Sequence, residues 1–285
     1  MASMREIKRR KATIESTSQI TQAMKLVSTA KLQRAKGKVE TSKPYFSHMY
    51  DAVNSILAKS GNITHPYLQG KEGGKKAFIV ITSNRGLAGG YNNNVVKLLT
   101  KGDIPKEDIL VYSVGRKGRD ALKRYGYQIK ADYSEVMNGP IFSDAADIGR
   151  AVLEAFANQE VSEIYIAYTV FKNTITQIPT LTKLLPVSIE EEKEISDDNL
   201  TLMNYEPEAE EALDKIIPKY INSLIYGALT EAIASENGAR MQAMESATNN
   251  AADMIDDLGL KYNRARQASI TQELTEIVAG ASAIE

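Results

Sequence analysis

The segment Lys261–Glu285, "KYNRARQASITQELTEIVAGASAIE", carries apolar residues at helical spacing: Ile270, Leu274, Ile277, Val278 and Ala281 share one face. A half-apolar helix in water must bury that face, against another part of the chain or against another protein. The search for its partner organises the rest of the sequence.

Upstream, residues 206–285 read as helical almost throughout, with Glu and Asp crowding the first turns, as suits a helix N-terminus. Leu213, Ile217, Tyr220 or Ile221, Leu224 and Ala228 recur on one face, and Pro218 either kinks this helix or marks its start. Farther on, the face narrows to Ala232, Ser235, Ala239, Ala243 and Ala247, small enough to admit a neighbouring backbone. At the other end, residues 1–60 form a second long helix, with Met4, Ile7, Ile14, Ile20, Met24, Val27 and Ala30 on a broad stripe. The first helix would reach about 80 Å and the second about 110 Å. Residues 1–40 hold ten Lys or Arg against three Glu, whereas residues 206–285 hold six against fourteen acidic residues. Opposite charge favours pairing.

Between the helices, residues 75–190 alternate strand and helix. Residues 75–84, "KKAFIVITSN", 108–115, "DILVYSVG", and 162–172, "SEIYIAYTVFK", read as strands. Residues 89–102, 116–126 and 144–159 read as helices, and residues 174–187, "TITQIPTLTKLLPV", as a last extended piece. This order predicts a mostly parallel sheet with helices on its faces. Loop chemistry at residues 60–74 and the acidic linker "SIEEEKEISDDN", residues 188–199, bound the domain. The expected architecture is a long antiparallel coiled coil of the N- and C-terminal helices with an inserted Rossmann-like α/β domain. The longer second helix must overhang the first, leaving its apolar tip in need of an external socket.

Composition narrows the chemistry. The 285 residues are 43% hydrophobic and 25% charged with a formal charge of -1, ordinary globular values. Cysteine is absent and only His48 and His65 are present, which removes thiol chemistry and makes a multi-histidine metal site unexpected. No apolar run approaches the roughly 18 residues of a membrane span. The opening "MASMREIKRRKATIESTSQ" has the basic, Ser/Thr-rich cast of a transit peptide, but Glu6, Glu15 and the helical pattern running past it argue otherwise.

Two glycine-rich turns could hold anions. "TSNRGLAGGYN", Thr82–Asn92, follows a strand and opens a helix, yet lacks both the GK[ST] ending of a P-loop and the G-x-G-x-x-G spacing. "VGRKGRD", Val114–Asp120, places Gly115 and Gly118 at a similar junction among basic residues. Both also read as tight structural turns. No hydrolytic triad, zinc motif or picked-out carboxylate pair is present, so no catalytic, cofactor or metal residues are expected. The basic stretch Arg5–Lys11, "REIKRRK", has no interleaved aromatics to stack bases.

Three segments, "ITQAMKLVSTAKLQRA" from Ile20, "SNRGLAGGYNNNV" from Ser83 and "ARQASITQELTEIVAGASA" from Ala265, together resemble the gamma subunits of F-type ATP synthases, over essentially the whole chain. Ile270, Thr271, Glu273, Glu276, Gly280 and Ala283 look like that family's C-terminal signature. Asn84 and Ala88 depart from it, standing where the family often has Asp and Cys, and the absence of cysteine excludes the redox switch of chloroplast members. The resemblance implies a non-catalytic rotor shaft, one copy per complex, for a proton-translocating ATP synthase. Its partners would be the alpha-beta hexameric ring, the epsilon subunit and the c-ring, at the cytoplasmic face of the bacterial plasma membrane. It implies beta-subunit contacts at Met24, Lys25, Arg240, Arg266, Gln267, Thr271 and Glu273, and an apolar bearing tip formed by Ile270, Leu274, Ile277, Val278 and Ala281. The alternatives are a nucleotide-binding enzyme built on the central α/β domain and a coiled-coil nucleic-acid binder.

Overall fold

A computed structural model describes residues 3–59, 65–68, 73–187 and 209–282. The linker expected at 188–199 and most of the loop at 60–74 fall outside the described residues. In chain order the elements are α1 (Met4–Lys59), β1 (Lys75–Ile81), α2 (Tyr91–Thr100), β2 (Ile109–Val114), α3 (Arg116–Arg124), β3 (Gln128–Asp132), α4 (Phe142–Ala157), β4 (Val161–Phe171), β5 (Gln177–Leu185) and α5 (Ala209–Ser282). Pro218 lies well inside α5 and does not start it. Its missing N–H leaves the Asp214 carbonyl without its helical donor, and α5 continues because Leu213, Ile217 and Ile221 are anchored in apolar surroundings.

The chain divides into two compact units: Met1–Thr29 with Arg240–Glu285, and Ala30–Ala239. In the second, the strand order is β3-β2-β1-β4-β5, with β1 to β4 parallel and β5 antiparallel to β4. β1 and β2 are buried almost end to end because helices cover both faces, which is why their sequences are continuous apolar runs rather than alternating ones. On one face Phe78, Val80, Ile109 and Val111 pack against Val95, Val96 and Leu99 of α2 and Leu122 of α3. On the other, Ile79, Ile81, Tyr112, Val114, Ile164 and Ile166 meet Ile148 and Val152 of α4, Ile217, Ile221 and Ile225 of α5 and Val53 of α1. β3 was not foreseen: "QIKAD" is short and alternates exposed with half-buried residues at the sheet edge.

In the first unit α1 and α5 run antiparallel, since Thr21 meets Thr248 while Lys25 meets Glu245. Buried or half-buried positions recur on α1 at Ile7, Lys11, Ile14, Ser18, Thr21, Lys25 and Ser28, and on α5 at Met244, Thr248, Ala251, Ile255, Leu258, Tyr262, Ala265 and Ser269. The alternating three- and four-residue steps are the heptad repeat of a left-handed coiled coil. This seam keeps Ile7 and Ile14 of the apolar stripe expected of α1 but leaves out Ile20, 58% exposed, and Val27, 57% exposed. The alternating steps run from Ile7, Lys11 and Ile14 through Ser18, Thr21 and Ser28, so beyond Ile14 hydroxyls take the α1 side of the seam and Ile20 and Val27 fall outside it.

The small-residue face of α5 is also divided. Ala232 and Ser235 pack on the sheet unit, where the Tyr91 hydroxyl donates to the Ala232 carbonyl and Ser235 Oγ to the Thr169 carbonyl. Ala243 and Ala247 are half-buried beside Met244 and Thr248 in the helical pair.

Candidate functional site: the helical pair and its tip

A seam of hydroxyls needs every one of them bonded. Thr21 and Thr248 place their Oγ1 atoms 2.7 Å apart. Each also reaches a carbonyl of its own helix, Ser18 and Met244 respectively. Ser28 Oγ donates to the Met24 carbonyl at 2.8 Å. From Ser18 to Ser28 the α1 side of the interface is thus polar, while the outside of the same unit carries aliphatics: Ile20, Leu26 and Val27 on α1 and Met254 and Leu260 on α5 are all more than half exposed.

The pairing register puts Met4, the first residue of α1, opposite the Ala265 region of α5. Ser269 is the last half-buried position, and every residue from Ile270 to Ala281 is exposed. Ile270 is 49% exposed, Leu274 58%, Ile277 67% and Val278 64%, on one helical face. Four large aliphatics on about two and a half turns of exposed helix form a patch that water does not favour.

The remaining predicted contact residues separate by environment. Lys25 is half-exposed and its Nζ lies 2.7 Å from Glu245 Oε1, so its charge is engaged within the molecule. Met24 is half-buried beside it. Arg240 is buried, at 9% exposure. Arg266, Gln267, Thr271 and Glu273 are exposed on α5, with the Glu273 carboxylate accepting from Ser269 Oγ at 3.5 Å. Sequence reading missed Leu26, Met254 and Leu260. Their only signal is an aliphatic residue off the heptad positions.

The two glycine-rich turns in the sheet unit spend their donors on each other. At the start of α3, the Arg116 amide donates to Asn84 Oδ1, the Lys117 amide to the Ser83 carbonyl and the Gly118 amide to Thr82 Oγ1. Oxygens of the preceding loop thus fill the place an anion would take. A Cβ on Gly115, at φ +114°, would sit 2.1 Å from the Thr82 carbonyl oxygen, and one on Gly118 2.6 Å from Thr82 Oγ1. The glycines serve close backbone packing. Near the carboxyl ends of β1 and β4, where such sheets take nucleotides, α5 is hydrogen-bonded to Tyr91 through the Ala232 carbonyl and to the Thr169 carbonyl through Ser235. No cluster of metal-ligating side chains occurs among the described residues.

A family model described as ATP synthase matches residues 3–284. An ATP synthase gamma chain from Lachnoclostridium phytofermentans is 69% identical, with all of each chain covered. The chain belongs to the ATP synthase gamma-chain family. It is thereby a subunit of ATP synthase that is structural and regulatory rather than itself catalytic, and the nucleotide-enzyme alternative is not favoured. A gamma chain of Alkaliphilus metalliredigens is 46% identical over 99% of each chain, and a sodium-ion-specific gamma chain of Acetobacterium woodii 44% identical over 99% of this chain and 98% of its own. Among solved structures, a chain of the Euglena gracilis mitochondrial ATP synthase covers 99% of this chain and 94% of its own with a TM-score of 0.69 at 19% identity, a likeness of fold. No helix of the described residues is long and apolar enough to cross a membrane.

Proposed function

We propose that this gamma chain is the central shaft of a rotary ATP synthase, present as one copy within a ring of alpha and beta subunits, with epsilon and the c-ring at its base. One asymmetric shaft in a threefold ring cannot touch three identical beta subunits alike. Each beta subunit is biased toward a different conformation and affinity, and rotation passes those states around the ring. The observation that carries the reading is the apolar tip, exposed from Ile270 to Ala281. Ile270, Leu274, Ile277, Val278 and Ala281 would run in an apolar collar. Below it, Arg266, Gln267, Thr271 and Glu273 would hydrogen-bond a beta loop, with Met24, Lys25 and Arg240 meeting acidic beta segments lower down. Lys25 would then exchange Glu245 for a partner's carboxylate.

The working division is residues 1–60 and 206–285 as stalk and 75–190 as the inserted domain. The complex would sit at the cytoplasmic face of the bacterial membrane, with this chain held peripherally, and would be driven by protons. Co-expression with the alpha and beta subunits tests the reading. A complex containing one copy of this chain that hydrolyses Mg-ATP is expected. A chain that stays alone, or binds ATP by itself, would overturn it.

A further inference from the structure

The dipeptide Asn-Gly occurs twice in the sequence, at 138–139 and 237–238, and the fold treats the two oppositely. Asn237 is 5% exposed inside α5, and its Nδ2 donates to the Ile233 carbonyl at 2.8 Å. The Gly238 amide belongs to the helix ladder. A Cβ on Gly238 would stand 3.2 Å from Gln177 Nε2, so the backbone there is pressed against the turn between β4 and β5. Asn138 and Gly139, by contrast, are both exposed, at the end of the short 3-10 turn Ser134–Asn138 that leads toward α4. There the Gly139 amide donates to the Val136 carbonyl at 3.2 Å, a bond of the poorer 3-10 geometry, and nothing stands within 4 Å of where a Cβ would be. Met137 and Pro140 are buried on either side, so the peptide between them can turn while its ends stay anchored.

We propose that Asn138–Gly139 is a site of spontaneous covalent modification, at which Asn138 converts to aspartate and isoaspartate while Asn237 is preserved. The Gly139 nitrogen loses its proton to hydroxide and attacks Cγ of Asn138. The N–Cγ bond forms, the Cγ–Nδ2 bond breaks, and ammonia leaves with a proton taken back from water. Water then opens the cyclic imide at either carbonyl. One water is consumed for each ammonia released, and no oxidant or cofactor enters. Attack needs the nitrogen to swing behind the side-chain carbonyl carbon, a rotation that glycine permits and a Cβ obstructs. The product changes its surroundings. Nδ2 of Asn138 donates to Glu135 Oε2 at 2.9 Å, and Glu135 also holds Arg116. A carboxylate in place of that amide turns the bond into a like-charge contact. Isoaspartate further lengthens the main chain by a methylene just ahead of Ile141, whose amide donates to Asp144 Oδ2 at the start of α4. This site goes beyond the rotary reading and stands without it.

The test incubates the purified full chain in neutral and in mildly alkaline buffer and follows the peptides carrying Asn138 and Asn237 by mass spectrometry, with isoaspartate detected by an isoaspartyl methyltransferase. The Asn138 peptide should gain the mass of an amide-to-acid change, faster in alkali, and should accept methyl groups. Asn237 should react at least about a hundredfold more slowly, because its buried helix must open first. In urea the two sites should react at similar rates. Gly139→Ala meets open space and should leave the circular dichroism unchanged, yet it should slow the reaction at Asn138 about tenfold or more. An unaltered Asn138, equal rates at the two sites in the folded chain, or a Gly139→Ala variant that reacts as fast as the original would overturn the inference. So would an Asn237 that stays protected in urea, since the fold would then not be what separates the two sites.

Discussion

The hydroxyls of Thr21 and Thr248 meet at 2.7 Å across the antiparallel pair of α1 and α5. Each hydroxyl owns one proton and faces both its partner and a carbonyl of its own helix, so the two are satisfied jointly. Removing one leaves the other short of a partner in a site where Thr21 is 9% exposed, at a cost of about 1–2 kcal/mol. Thr21→Val and Thr248→Val should each destabilise the chain by that amount, and the double variant by clearly less than their sum. Urea unfolding of the four proteins in a double-mutant cycle measures the difference. Strict additivity would show that the hydroxyls do not act as a pair.

Lys25 and Glu245 make a second contact across the same pair at 2.7 Å, but with side chains 35% and 48% exposed. Exposed ion pairs are worth under about 1 kcal/mol and weaken with salt. Glu245→Gln should therefore leave the melting temperature nearly unchanged while releasing Lys25. In an assembled complex it should alter the ratio of protons pumped to ATP hydrolysed, if Lys25 serves a beta carboxylate. A large loss of stability in the isolated chain would show that the pair is structural.

The tip allows a sharper separation of folding from assembly. Leu274 and Ile277 are exposed at 58% and 67%, so Leu274→Glu with Ile277→Glu should shift stability by no more than about 0.5 kcal/mol per site. The same variant should lower the yield of complex recovered with alpha and beta subunits. A pronounced drop in melting temperature would mean that the chain covers its own tip.

Just past the carboxyl end of β1, Gly115 and Gly118 press against Thr82. A methyl at Gly115 would overlap the Thr82 carbonyl oxygen, and the residue's φ of +114° is closed to other side chains at ordinary cost. Gly115→Ala is expected to cost more than about 3 kcal/mol, with Gly118→Ala near it. Equilibrium dialysis of the wild-type chain should find no ATP at this turn. A tolerated Gly115→Ala would place the glycine's purpose elsewhere.

How far the fold could be read in advance depended on where apolar residues were forced to lie. Ile79 and Val111 belong to runs buried on both faces, and such runs announce a parallel sheet whatever surrounds them. The overhanging tip was legible for the same reason, because Ile270, Leu274 and Ile277 repeat on one face. The seam of the helical pair was legible only in part: Ile7 and Ile14 lie in it, but Ser18, Thr21 and Ser28 continue it while Ile20 and Val27 point to solvent. Apolar periodicity finds an interface only where the interface is apolar, and beyond Ile14 the aliphatic residues of α1 at 20, 26 and 27 mark an outer surface. β3 escaped for a simpler reason: the strand is five residues long and half-exposed. The contacts that fill the two glycine turns depend on Asn84 and Thr82 reaching α3 from far along the chain, a juxtaposition no local pattern encodes.

Glu163 offers a test by pH. Its carboxylate bonds Lys183 Nζ at 2.5 Å, Lys76 Nζ at 2.6 Å and the Tyr165 hydroxyl at 3.0 Å, tying β1, β4 and β5 together on one face of the sheet. Burial alone would raise its pKa, but the hydrogen bonds from Lys183, Lys76 and Tyr165 outweigh it and bring the group from an ordinary 4.5 to about 2. Because the folded value is the lower one, the stabilisation is complete above about pH 4.5 and is lost as the pH falls through about 2. With the two lysines about one-third exposed, solvent screening brings the contribution to about 2 kcal/mol. Glu163→Gln keeps the shape and removes the titration. Urea unfolding at pH 7, 4 and 3 should show the gap between wild type and Glu163→Gln narrowing as acid is added, by roughly half at pH 3. A gap that stays constant over that range would mean that the lysines do not hold this carboxylate ionised.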